Sequence, residues 1–271
     1  MPSASHPLAV VTGASSGIGF ELARQFVDHG YDLIAVAEDS GISGVASLAS
    51  GGASVDTLQI DLASEDGVDE LYAQITGTGR PVAALALNAG VGVGGAFAGR
   101  TADETTPLAA ELQIIALNVR SVVHLAKHVI ADMVARDEGR VLFTSSVEST
   151  MPGSYQAVYS GSKSFVQAFA LAIRDELKDT NVSITSLMPG PVDTAFFEKA
   201  DMMDTKVGQG TKDDPADVAR QGFEALMNGD ERVVAASLSS KVMGKVGRVL
   251  PDRVKAAAHS QMSEPGSGEE S

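Results

Sequence analysis

Tyr159 and Lys163 stand four residues apart at the head of a stretch with helical periodicity, residues 159–178. Four residues is just over one helical turn, so the two side chains share a face. A free phenol has a pKa of about 10 and is a poor acid or base at neutral pH. An ammonium held beside it favours the phenolate and lowers that pKa. The pair is a candidate general acid/base. Ser145 and Ser146 end a short apolar run, residues 141–144, and Ser146 lies thirteen residues before Tyr159. The same Tyr–Lys spacing also occurs on helix faces that do no chemistry. Tyr155 lies four residues before Tyr159, but its neighbour at that spacing is a tyrosine and not a lysine.

A second group with chemical potential lies near the start. Residues 8–11 form an apolar run that stops at Thr12-Gly13, and Gly13, Gly17 and Gly19 precede a helical pattern over 20–26. A buried strand, a glycine-rich turn and a helix N-terminus form a phosphate-binding arrangement. Glycines let the backbone approach a pyrophosphate, and the first free N–H groups point at it. The spacing, G-x-x-x-G-x-G, differs from the commonest dinucleotide fingerprint, and a tight turn that binds nothing has the same outline.

The elements that must position these groups alternate along the chain. After the first strand, strands are expected at 32–37, 55–60, 82–87, 141–144 and 182–188, with a short edge strand at 232–235. Helices are expected at 43–49, 65–75, 107–136, 159–178 and 214–227, with helical pieces at 241–250 and 252–262. Short apolar strands alternating with amphipathic helices imply an α/β fold: a doubly wound parallel sheet of about seven strands, covered by helices on both faces. Ligands of such sheets gather beyond the carboxyl ends of the strands. Thr12-Gly13, Asp61, Asn88-Ala89-Gly90 and Ser145-Ser146 all fall there. Asn118, inside the expected helix 107–136, is mildly unfavourable at such a position and needs a reason. Residues 1–262 read as one domain with a helical extension at about 236–262, and the polar, Gly/Glu-rich stretch 263–271 reads as a disordered tail.

Composition narrows the function. The 271 residues can bury a substantial core. With no cysteine, disulfides, thiolate chemistry and Cys-based zinc sites are excluded. A net charge of −15 disfavours nucleic acid and anionic membrane surfaces as partners. No uninterrupted apolar run has the eighteen or more residues of a membrane span, and residues 1–6 lack the pattern of a signal peptide. A cytoplasmic location fits these features.

Together the motifs resemble the short-chain dehydrogenase/reductase family in its ordinary-length subgroup, over about residues 8–195. They are Thr12-Gly13-Ala14-Ser15-Ser16-Gly17-Ile18-Gly19, Asp61-Leu62, Asn88-Ala89-Gly90, Asn118, Ser146, Tyr159-x-x-x-Lys163 and Pro189-Gly190-Pro191-Val192-Asp193-Thr194, in the family's order and spacing. The resemblance implies a Rossmann-like fold and an NAD(P)-dependent oxidoreductase that interconverts an alcohol and a ketone or aldehyde. It implies that Tyr159 exchanges a proton with the substrate oxygen and that Ser146 hydrogen-bonds that oxygen. Lys163 would lower the Tyr159 pKa and contact the nicotinamide ribose, and Asn118 would hold a water that relays protons to Lys163. Gly13, Ser15, Ser16, Gly17, Ile18 and Gly19 would line the pyrophosphate. Asp61 and Leu62 would meet the adenine, and Asn88, Ala89 and Gly90 the adenosine side of the cofactor. Pro189, Gly190, Val192 and Thr194 would hold the nicotinamide end. A homodimer or homotetramer is expected. A non-catalytic dinucleotide sensor, or an epimerase or dehydratase of the same family, are the alternatives.

The chain departs from the family pattern in three places. Leu87 takes the place of an Asn before Asn88. The end of the second strand carries Glu38 and Asp39, and Ser16 stands where a basic residue would favour NADP. An acid there repels a 2′-phosphate, so NAD(H) is favoured over NADP(H), although the family's usual acid position is Ala37. The C-terminal stretch also differs from that of tetrameric reductases. For the substrate side, Val147, Glu148, Met151, Pro191, Phe196, Phe197, Met202 and Met203 suggest a hydrophobic alcohol or carbonyl. His124 and His128 share a helix face but lack the pattern of a metal motif and read as packing or interface residues, so no metal site is expected.

Overall fold

The computed structural model describes residues 6–99, 105–235 and 251–270. Seven strands form one sheet: β1 Leu8–Thr12, β2 Asp32–Ala37, β3 Val55–Gln59, β4 Val82–Leu87, β5 Gly139–Thr144, β6 Val182–Pro189 and β7 Arg232–Ala235. Their order is β3-β2-β1-β4-β5-β6-β7, and every neighbouring pair is parallel. The chain reverses its direction of travel between β1 and β4, which opens a crevice at the carboxyl ends of those two strands.

Both faces of the sheet are covered, and the central strands β1, β2, β4, β5 and β6 are buried along nearly their whole length. On one face lie α2 Glu65–Gly77, α3 Leu108–Ile115, α4 Ser121–Ala135 and α5 Ala157–Glu176. They bury Leu71, Leu125, Met133 and Val166 against Leu85, Val141 and Phe143. On the other face, α1 Gly17–Asp28 and α8 Pro215–Asn228 pack together. Phe26 there meets Tyr31 and Phe223 edge to face, both at 5.2 Å. Between β6 and α8 lie two single turns, α6 Phe196–Lys199 and α7 Lys206–Gln209, and α9 Asp252–Ser263 follows β7.

The expected architecture is present, with local differences. The stretch expected as helix at 43–49 is a 3-10 helix, Ser40–Leu48, started by Asp39, which accepts the Gly41 N–H. The expected helix over 107–136 is widened at Ala116–Arg120 into a π-helical turn that contains Asn118. By length and composition, residues 108–135 could cross a membrane, and half of the most apolar stretch is buried inside the protein, as in a core helix. The described part of the tail, residues 263–270, is not disordered as expected. Gly266 donates to the Asp204 carboxylate, Gly268 donates to the Asp204 carbonyl, and Ser267–Glu270 forms a 3-10 turn. The helical piece expected at 241–250 lies outside the described residues.

Phe26 is fully buried in the α1–α8 layer. Phe26→Ala is expected to cost about 3–5 kcal/mol, read as a lower urea midpoint with an unchanged m-value.

Candidate active site

The site begins where three strands end. The Thr12 hydroxyl accepts the N–H groups of Asn88 and Ala89, each at 3.0 Å. The Asn88 amide donates back to the Thr12 carbonyl at 3.3 Å, and its oxygen accepts the Thr144 hydroxyl at 3.1 Å. The ends of β1, β4 and β5 are thereby tied at one level. Thr144 and Ser145 then clasp α5. Lys163 Nζ donates to the Thr144 carbonyl, and Ser145 Oγ donates to the Lys163 carbonyl, both at 3.0 Å. These bonds set the depth and rotation of the helix that carries Tyr159 and Lys163.

Asn118 earns its unusual position structurally. It is buried, its oxygen accepts the Val91 N–H at 2.9 Å, and its amide donates to the Val91 carbonyl at 2.9 Å and to Ser162 Oγ at 3.1 Å. It fixes the chain leaving β4, and the π turn is the local distortion at its position. A Cβ added at Gly90 would lie 3.2 Å from Asn118 Oδ1 and 3.3 Å from Lys163 Nζ. A side chain there would press on both.

One cavity of about 390 Å³ runs along this edge. It brings together Ser146, Tyr159 and Lys163 with Gly13, Ser15, Ser16, Gly17, Ile18, Gly19, Glu38, Asp61, Leu62, Asn88, Ala89, Gly90, Pro189, Gly190, Val192 and Thr194. Asn118 stands behind the wall. Val147, Glu148, Met151, Pro191, Phe196 and Phe197 line the far end. Met202 instead packs in a small core with Phe197 and Ala200, and Met203 is exposed. Asp39, named beside Glu38 from the sequence, lines the cavity too, and the sequence reading missed Lys199, His259, Met262 and Ser263, which also line it. His259, Met262 and Ser263 sit on α9, too far along the chain from any motif to be placed by spacing.

The glycine end fits a dinucleotide. Gly13 and Gly17 have positive φ, 67° and 55°, which glycine adopts without strain. A Cβ on Gly19 would fall 2.0 Å from the Gly13 carbonyl oxygen. The first turn of α1 carries no side-chain cap, whereas Ser64 caps α2 and Asp214 caps α8. Its N–H groups and the helix dipole are suited to a phosphate. Past this turn, Asp39 accepts the Ser15 hydroxyl at 2.7 Å. That bond, with the Gly41 N–H and the charge of Lys199, holds the Asp39 carboxyl below its ordinary pKa against the cost of burial.

At the other end, Ser146 Oγ accepts the Glu148 N–H at 3.1 Å, and Tyr159 lines the same part of the cavity. The Tyr159 ring rests against Phe196, centroids 5.2 Å apart. The residue types suggest that Lys163 lowers the Tyr159 pKa, yet burial dominates here. It pushes the phenol upward, the Glu148 charge adds to that push, and the Ser146 hydroxyl opposes it. Lys163 Nζ lies 5.8 Å from the centre of the Tyr159 ring. Burial brings Lys163 itself down to about 8, with Glu148 pulling the other way.

Residues 7–204 match the family model described as short chain dehydrogenase. The chain belongs to that family. It is an NAD(P)-dependent oxidoreductase. Retinol dehydrogenase 8 of Bos taurus is 33% identical over 196 residues, which cover 70% of this chain and 60% of that one. A short-chain dehydrogenase from Sphingobium yanoikuyae in complex with NADPH superposes with a TM-score of 0.77 at 22% identity, covering 94% of this chain and 96% of that one. A short chain dehydrogenase/reductase from Burkholderia phymatum in complex with NAD does so with a TM-score of 0.77 at 21% identity, covering 90% and 94%.

Away from the cavity, His124 pairs with Asp69 at 3.0 Å and His128 stacks on Tyr72 at 4.5 Å. The ligand atoms of Asp69, His124 and His128 lie within 4.8 Å of one another.

The depressed pKa of Lys163 has a stability consequence. Between about pH 8 and its unfolded value near 10.5, the unfolded chain binds a proton that the folded chain does not. Stability therefore rises with pH in that window. Relative to Lys163→Met, wild type is expected to gain about 2 kcal/mol from pH 8 to pH 10, measured by urea denaturation at each pH.

Proposed function

We propose that the protein interconverts an apolar alcohol and its ketone or aldehyde, with Tyr159 exchanging the proton at the substrate oxygen and NAD(H) as cofactor. The observation that carries this reading is that Ser146, Tyr159 and Lys163 meet at one end of the same cavity whose other end is the uncapped, glycine-lined N-terminus of α1. The nicotinamide, when bound, supplies or accepts the hydride.

The chain's own residues account for the rest. The Glu148 N–H occupies a lone pair of Ser146 Oγ, which leaves the Ser146 hydrogen free to donate. A substrate oxygen beside Ser146 and Tyr159 would accept from both hydroxyls, so negative charge growing on it meets donors already in place. Burial keeps Tyr159 protonated, which suits donation during carbonyl reduction. In the oxidative direction Tyr159 must take a proton, and Lys163, still largely protonated at neutral pH, is the charge that favours this. Asn118 is a positioning residue, acting through Val91 and the Asn88-Ala89-Gly90 exit. Its assigned water relay requires a group other than its side-chain amide, whose two hydrogens are engaged.

Gly13, Gly17 and Gly19 would hold the pyrophosphate. Asp61 and Leu62 would flank the adenine, and Val192 and Thr194 the carboxamide. The preference for NAD(H) is supported more by Asp39 than by Glu38. The Asp39 carboxylate is fixed by Ser15 and Gly41, whereas the Glu38 hydrogen bond, with Gln59, uses its main-chain carbonyl. The apolar substrate is supported by Met151, Phe196, Phe197 and Met262 at the far end. Exposed Leu108, Leu112 and Ile115 on α3, with Phe165 on the neighbouring α5, support self-association.

Tyr159→Phe is expected to lower kcat about a thousand-fold or more while NADH binding, followed by nicotinamide fluorescence, changes little. Turnover near wild type would remove Tyr159 from its role. In the same assay NADH is expected to bind more tightly than NADPH. Asp39→Ala should narrow that gap about ten-fold, and Glu38→Ala should narrow it less.

A further inference from the structure

The C-terminal helix α9 lies across the loop between Ser146 and Tyr159. Ser154 Oγ donates to the Ala256 carbonyl at 3.1 Å, Lys255 Nζ to the Thr150 carbonyl at 3.4 Å, and the Tyr155 hydroxyl to Glu264 at 3.0 Å. Tyr155 holds a left-handed φ of 62°, a conformation that a bulky residue keeps only where its surroundings impose it. At the centre of this contact, His259 enters the substrate end of the cavity, its side chain 7% exposed. Its Nδ1 is 2.9 Å from the Ser154 carbonyl, and its Nε2 is 3.8 Å from Glu148 Oε1.

A carbonyl only accepts, so Nδ1 carries a hydrogen. A neutral ring would then turn a bare Nε2 toward a carboxylate, and a protonated ring turns an N–H toward it. Burial works against the charge on His259, but the Glu148 carboxylate and the Ser154 carbonyl outweigh it and raise the His259 pKa. Glu148 is held from two other sides. Its Oε2 accepts the Ser160 hydroxyl at 3.0 Å, and its N–H donates to Ser146. Ser146, Glu148 and Tyr159 line the same cavity, and the charge of Glu148 raises the pKa of that phenol. Of the other charged groups nearby, Lys255 is paired with Asp252 at 3.2 Å and Glu264 accepts from Tyr155. Lys163 lies beyond Tyr159, bonded to the Thr144 carbonyl.

We infer that His259 is a positioning residue for the reaction, a counter-charge that α9 brings to Glu148 so that this carboxylate does not suppress ionisation of Tyr159. The inference rests on the reading of Tyr159 as the acid/base. Its sign is definite. With His259 protonated, the charge of Glu148 is offset, the phenolate is less disfavoured, and alcohol oxidation is faster. With His259 neutral, the offset is gone.

The test uses the full-length protein with NAD and an apolar secondary alcohol such as 1-phenylethanol. His259→Gln keeps an amide donor for the Ser154 carbonyl but cannot be charged, and Glu148→Gln keeps the shape without the carboxylate. The ratio of kcat/KM for wild type over His259→Gln is expected to be about five-fold on the acid side of the His259 titration and to fall toward one above it. In the Glu148→Gln background the same ratio should be flat. In parallel, proton NMR of the imidazoles should show His259 titrating above an ordinary histidine in wild type and lower in Glu148→Gln. A wild-type ratio that does not change with pH would overturn the inference and leave His259 as a pin for the helix. A His259 titration indifferent to Glu148→Gln would overturn it as well. The NMR readout needs no turnover, so it separates failure of the pair from failure of the Tyr159 assignment, which Tyr159→Phe reports.

Discussion

A parallel sheet leaves the carboxyl ends of its strands with main-chain groups that the ladder no longer satisfies, and this protein resolves that constraint with two threonines and an asparagine. Thr12, Asn88 and Thr144 connect the ends of three adjacent strands through side-chain and main-chain bonds. The chemistry rests on that connection. Thr144 and Ser145, at the end of β5, grip Lys163 at its ammonium and its carbonyl. Lys163 belongs to the same helix face as Tyr159, so the strand ends fix where the phenol stands relative to the glycine turn.

The same arrangement creates an electrostatic problem. Tyr159, Lys163, Glu148 and His259 share a cavity whose remaining wall is largely apolar, and charge is costly there unless it is paired. Each group is moved from its ordinary behaviour or tied to a partner. Lys163 falls to about 8, His259 rises, and Tyr159 rises. A phenol kept neutral by burial is a good proton donor and a poor acceptor, so under the proposed role of Tyr159 the direction of proton transfer depends on the positive charges around it.

Much of this was legible in the sequence. The order of elements followed from apolar runs and helical periodicity, because the central strands are buried on both faces and each long helix has one apolar side. Gly13, Gly17, Ser146, Tyr159 and Lys163 could be singled out because their spacing falls within one turn or one strand–helix junction, and they line one cavity. Asn118 was noticed as an oddity, and its bonds to Val91 and Ser162 explain it. What failed was either tertiary or weakly patterned. The stretch at 43–49 has too few strong helix formers and stays a 3-10 helix. The 263–271 tail is polar by composition, yet its glycines reach the main chain of Asp204 and its carboxylate, partners no periodicity reveals. Asp39 stood beside Glu38 in the sequence, and only the Ser15 bond distinguishes them. His259 joins Glu148 from 111 positions away in the chain, a distance at which spacing carries no information.

That separation has a consequence for how the molecule is made. Synthesis releases the chain from its N-terminus, and early segments can fold before later ones appear. The sheet, the glycine turn and the Tyr159 helix all precede α9, so the reactive groups can be assembled while the wall bearing His259 and Met262 is still inside the ribosome. The sheet end of the cavity and its α9 wall would then be completed at different moments of translation. A chain interrupted after β7 would lack the wall that His259, Met262 and Ser263 give the cavity.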